Sequence, residues 1–330
     1  MRKGLLLVAW AAASVGSATA ARAEIYQVPS AYAIPLPPVL EPRFEVGMRY
    51  WQSVGSTHFS FNSSKVDPTL GNRTSVLKYD NMDGYSGEFF WYARNETDTF
   101  AKGFIGGGGL SGGSLDDEDY YAGQVKFSDT FSTVKGESLI YGTIDVGQNF
   151  TVIDGPSKLS LSPFIGYNYW QETATAYGAR CNADDVSGAV CGAPGTVVVP
   201  FSTEVIKNKA MWSALRLGGE IKAKLWDRFT VMGEAAILPV TYVMNEDSHL
   251  LRGDLGRPPN IEDHGFGWGY QLEAALRYDI TPGWSAGAGV RYWYAAVGGS
   301  TEFIHFDTRV PLKDFTSDRF GVFGDVSYRF

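Results

Sequence analysis

From Phe44 onward the chain alternates apolar and polar residues with a period of two, which is the spacing of a β-strand whose faces meet different surroundings. The alternation is cleanest in three segments. In 319–330, Phe320, Val322, Val326, Tyr328 and Phe330 fall on one face and Arg319, Asp325, Ser327 and Arg329 on the other. In 270–280, Tyr270, Leu272, Ala274, Leu276 and Tyr278 oppose Gln271, Glu273, Arg277 and Asp279. In 211–225, Met211, Leu215, Leu217, Ile221 and Leu225 oppose Arg216, Glu220, Lys222 and Lys224. Strands with charges on one face and only apolar groups on the other suit a barrel with lipid outside and a polar lumen inside.

Short turns, Asn95-Glu96-Thr97, Asp154-Gly155-Pro156-Ser157, Trp226-Asp227-Arg228 and Thr281-Pro282-Gly283, alternate with long polar connections. Four such turns between five long loops predict ten strands, at about 44–61, 75–94, 98–116, 135–153, 158–178, 204–226, 228–246, 265–280, 284–301 and 318–330. Aromatic residues gather near strand ends, as in Trp91-Tyr92, Trp226, Trp284 and Tyr292-Trp293-Tyr294, where interfacial girdles belong. The fold class predicted is therefore all-β: a ten-stranded antiparallel transmembrane β-barrel of the bacterial outer membrane. Several strands exceed the ~9 to 11 residues that cross a bilayer, so the barrel extends beyond the outer leaflet. A porin-like channel usually takes ~16 strands, and mixed lumenal charges such as Glu220, Lys222, Lys224, Glu273, Arg277, Arg291, Asp325 and Arg329 predict a plugged interior.

The N-terminus carries Arg2 and Lys3, an apolar run from Leu5 to about Ala13, and Ala21-Arg22-Ala23, the pattern of a cleavable signal peptide over 1–23. A proline-rich periplasmic lead-in over 24–43 then precedes one barrel domain, 44–330, with its loops facing the cell exterior. An exported chain meets an oxidising compartment, so Cys181 and Cys191, in one polar segment, are expected to form a local disulfide. The net charge of −8 disfavours nucleic acid and favours cationic peptides or proteins, beside the membrane lipids, as partners of a monomer.

Two polar clusters close strands three and seven: Asp116-Asp117-Glu118-Asp119-Tyr120 and Asn245-Glu246-Asp247-Ser248-His249. Side chains two apart share a face, so Asp117 with Asp119, and Asp247 with His249, form side-by-side pairs. Each lies about 19 residues above a short turn, at Asp98 and Arg228. At ~3.3 Å per residue and ~45° of tilt that is about 40 Å, above an apolar band only ~25 Å tall. Counting alternation upward from Lys102 and Glu234, however, turns both pairs outward unless each strand carries a bulge, a feature common at barrel rims.

These pairs, with Gly112-Gly113-Ser114-Leu115 before the first and Ser75-Val76-Leu77-Lys78-Tyr79-Asp80 in strand two, resemble the omptins, ten-stranded outer-membrane endopeptidases. The resemblance implies an aspartic-type endopeptidase without metal or bound cofactor. His249 would be the general base, Asp247 would hold its imidazole, and Asp117 and Asp119 would position the attacking water. Glu246 and Asp116 become candidates for binding basic side chains, since a family position two before the catalytic aspartate, usually acidic, is Asn245 here. The family's activating lipid is lipopolysaccharide, but its Tyr-x-Glu-x-Arg stands here as Tyr167-Asn168-Tyr169-Trp170-Gln171. Competing placements are His264 within Glu262-Asp263-His264, His58 within His58-Phe59-Ser60, and His305 near Asp307. The alternative function is a non-enzymatic surface barrel, an adhesin or structural protein.

Overall fold

The computed structural model describes residues 43–155, 157–182, 191–226 and 228–330. The expected signal peptide and nearly all of the lead-in lie outside the described residues. Twelve strands follow in chain order: β1 (Phe44–Phe61), β2 (Ser75–Arg94), β3 (Thr99–Leu110), β4 (Ser114–Tyr121), β5 (Val125–Gln148), β6 (Phe150–Ile153), β7 (Lys158–Cys181), β8 (Val197–Trp226), β9 (Phe229–His249), β10 (Ile261–Asp279), β11 (Trp284–Phe303) and β12 (Thr308–Arg329). β3 and β4 form one interrupted stave, since both pair with β2 and β5, and β6 continues β5 against β7. Ten antiparallel staves result among the described residues. β1 pairs with both β2 and β12, which closes the sheet into a ring and leaves no free edge.

The alternation read from the sequence sorts the side chains as lipid and lumen require. Ile221, Leu272 and Val322 are 48%, 45% and 55% exposed on the outer wall, whereas Arg319 and Arg291 are 0% and 1% exposed inside. Aromatic rings bracket the apolar band. Trp284, Tyr328, Phe330 and Phe44 cluster at the end of the short turns, and Trp268, Tyr270, Tyr292 and Tyr294 form a second belt higher on the wall. Ten residues of β11 separate Trp284 from Tyr294, about 23 Å at the usual rise and tilt, which matches the band. Trp293, by contrast, points inward and is core rather than girdle.

Four strands begin earlier than the sequence predicted. β5 starts at Val125 rather than 135, β8 at Val197 rather than 204, β10 at Ile261 rather than 265, and β12 at Thr308 rather than 318. Two of the expected long loops are therefore tight reversals. After β4, Ala122 and Gly123 both take positive φ (51° and 68°), and Gln124 N donates to Tyr121 O at 3.0 Å. Above the membrane both faces of a strand meet water or protein, so the apolar alternation that marks a strand is lost there.

The lumen is filled. In the membrane-spanning part, Arg291 donates to Glu88 (2.7 Å) and Glu273 (2.8 Å), and Arg49 reaches Glu273 (3.1 Å) and Asp325 (3.4 Å). Arg216 pairs with Asp145 and Glu234, both at 2.6 Å. An aromatic layer of Trp51, Tyr141, Trp293, Trp170 and Trp212 sits over this network, with ring centroids 4.9–6.0 Å apart. Arg319, bonded to Glu172 at 2.6 Å, lies with it. The barrel inserted in a planar bilayer is expected to give no steady conductance, and porin-like current steps would contradict the packing.

Candidate active site

Asp117 with Asp119, and Asp247 with His249, face inward, and one-residue irregularities bring this about. On β9 the lumenal residues run Glu234, Ala236, Leu238 and then Thr241, Val243, Asn245 and Asp247. The pairing with β10 slips by one between Leu238 and Thr241, where Pro239 has no N–H to give the ladder. On the facing wall, β2 gains a residue between Tyr79 and Met82, with Asn81 at φ 54°. The adjoining stave breaks in step at Ser111-Gly112-Gly113, where Gly113 has φ 148°, a conformation side chains rarely tolerate. Leu115, Asp117 and Asp119 then share the face that holds Leu77 and Tyr79.

His249 Nε2 lies 3.1 Å from Asp247 Oδ2. Asp247 is 1% exposed, while the His249 side chain keeps 17% exposure, enough to meet a bound molecule. Opposite, Asp117 and Asp119 line the mouth, and among the described residues no hydrogen bond or ion pair joins the two walls. The walls still sense each other. Burial pushes Asp117 well above the carboxylate range, the charges of Asp119 and Asp247 add to this, and His249 opposes it. Asp119 is raised too, by burial. Both carboxyls are therefore shifted toward the protonated form, as crowded carboxylates are. Burial works to lower His249, but the charge and hydrogen bond of Asp247, together with Asp117 and Asp119, outweigh it and push the imidazole up to about 9.

Asn245 and Asp263 extend the β9 wall. They are directly opposed on the β9–β10 ladder; Asn245 Nδ2 donates to Asp263 Oδ2 at 2.9 Å and Thr301 Oγ1 to Oδ1 at 2.6 Å. Burial first, and then the Asp247 charge, push Asp263 up to about 7. The sequence offered Asp263 only as a neighbour of His264, because strand register is not written in local motifs.

Glu246 and Asp116 are not where a substrate-binding role needs them. Each follows or precedes an inward residue by one, so each points to the outer face. Glu246 pairs with Lys209 at 3.3 Å, and Asp116 accepts from Asn182 at 2.8 Å. The rival histidines also fall away from the groove: His264 bonds Tyr242 on the outer wall (2.9 Å), His58 bonds Asp80 (2.8 Å), and His305 lies in the short turn before β12. Cys181 and Cys191 are disulfide-bonded, with Cα atoms 5.6 Å apart. No group of three or more His, Cys, Asp or Glu side chains among the described residues is arranged to hold a metal ion.

A closed antiparallel ring, an apolar band between aromatic belts and a polar groove at one rim define an outer-membrane β-barrel with a cluster of titratable side chains beyond the band. Among solved structures, the outer membrane protease OmpT from Escherichia coli superposes with a TM-score of 0.66, at 13% identity, over 87% of this chain and 96% of that one. The translocator domain of the autotransporter NalP from Neisseria meningitidis aligns over 88% of this chain and 90% of that one, at 12% identity and a TM-score of 0.38. At these identities the likeness is one of fold. No protein-family model and no curated protein matches the sequence.

Proposed function

We propose that this barrel is an omptin-like endopeptidase, acting as a monomer with its groove outside the cell. One observation carries the reading. Two bulged walls bring Asp117 and Asp119 face to face with Asp247 and His249 at one level, although simple alternation would have turned all four away. In that arrangement Nδ1 of His249, the nitrogen not bonded to Asp247, takes a proton from water held between the walls. The water oxygen bonds to the scissile carbonyl carbon, the carbonyl π pair moves onto oxygen, and the shared proton of Asp117 and Asp119 steadies that oxygen. The C–N bond then breaks as His249 returns its proton to the leaving amine. Substrates with Lys or Arg fit the negative net charge.

The test is cleavage of a Lys- and Arg-rich peptide library by the refolded protein, with and without lipopolysaccharide. Absence of turnover in both by a folded barrel would favour a non-enzymatic surface protein. The base must be neutral to act, and His249 is held up to about 9. Activity is therefore expected to be low at pH 6, to climb as His249 loses its proton, and to fall again at high pH as Asp117, itself raised to about 8, gives up the proton the step also uses. A profile that is flat from pH 6 to 9 would remove His249 from the role of base.

A further inference from the structure

Tyr79 stands on β2 at the floor of the groove, 1% exposed, its ring stacked on Phe59 with centroids 6.4 Å apart. On the β2–β4 ladder Tyr79 opposes Leu115 and Leu77 opposes Asp117, so the phenol lies one step to the membrane side of Asp117. Its hydroxyl is buried and makes no hydrogen bond. The same holds for Asp247 Oδ1, the oxygen that His249 does not use. Buried phenols and carboxylates are seldom left so. Burial, followed by the charges of Asp247 and then Asp117, raises the phenol's own ionisation, so it stays protonated and able to donate. Asp117 on β4 and Asp247 on β9 lie near enough for their charges to act on it.

We propose that Tyr79 is a positioning residue of this site, its hydroxyl donating to Asp247 Oδ1 through one water. Asp247 is then held at both oxygens, and the imidazole of His249 is fixed in the plane that aims Nδ1 at the water. Only the kinetic arm of the test rests on the endopeptidase reading.

Tyr79→Phe keeps the ring and its stack and removes the hydroxyl alone. In the refolded full-length barrel, kcat is expected to fall about tenfold with KM within about twofold, the scale of one hydrogen bond felt after binding. The titration of His249, followed by NMR with His249→Gln identifying its signal, should move up by about half a pH unit, because a carboxylate with one donor fewer holds the imidazolium more tightly. In an Asp247→Asn background the same substitution should change nothing further. An unmoved titration, or an equal loss of kcat in that background, overturns the proposal. The titration needs no turnover, so an inactive wild type would sink the peptidase reading while leaving Tyr79 to be judged on its own. If Tyr79→Phe does not fold, 3-fluorotyrosine at position 79, a stronger donor, should move the titration down, and no movement overturns the proposal.

Discussion

Substituting His249 by alanine is expected to lower kcat on a basic peptide by about a thousandfold, within the range a positioned general base contributes. Asp117→Ala should cost about a hundredfold or more, through loss of the shared proton opposite the imidazole. Neither change touches the plug or the outer wall, so both variants should keep the wild type's folded migration in unheated gels. The two losses should also fail to add, because both walls act in the same step. Turnover that survives His249→Ala at more than a tenth of the wild-type rate would mean that the groove binds without cleaving by this route.

The second large effect lies inside the barrel. Arg291 is 1% exposed and bonded to both Glu88 and Glu273. Arg291→Met would leave Glu88 and Glu273 to share Arg49 alone, at 3.3 and 3.1 Å, a loss of about 3–5 kcal/mol by the usual cost of breaking a buried pair. Urea unfolding in lipid vesicles, read by tryptophan fluorescence, measures it. Adding Glu88→Gln should recover much of the loss, since Glu273 then keeps Arg49 and the penalty is the uncompensated charge rather than the missing bond. A single variant within 1 kcal/mol of wild type would show that water or lipid headgroups reach the network.

Much of the barrel was legible because lipid and lumen impose opposite demands on neighbouring residues. The last twelve residues alone, with Phe320, Val322 and Val326 against Arg319 and Asp325, read as a wall strand and are one. The turns were legible because Gly, Pro, Asn and Asp mark them. The upper halves of β5 and β12 were not, since Lys126, Ser128, Thr308 and Asp314 sit where no apolar face is needed. The pairing of Asp117 with Asp119 and of Asp247 with His249 followed from a spacing of two; their inward aim did not, because a bulge is a single residue. Asn81, Gly113 and Pro239 are its traces here. The same alternation that makes the pairs excluded Glu246 and Asp116, which are near Asp247 and Asp117 in sequence and on the other face in space.

The filled lumen beneath the groove has a directional consequence. If peptides are cut at the mouth, nothing packed below opens a passage toward the periplasm, so fragments can depart only through the opening by which the substrate came. Such a barrel would dispose of peptides without importing them, and would leave the permeability of its membrane untouched.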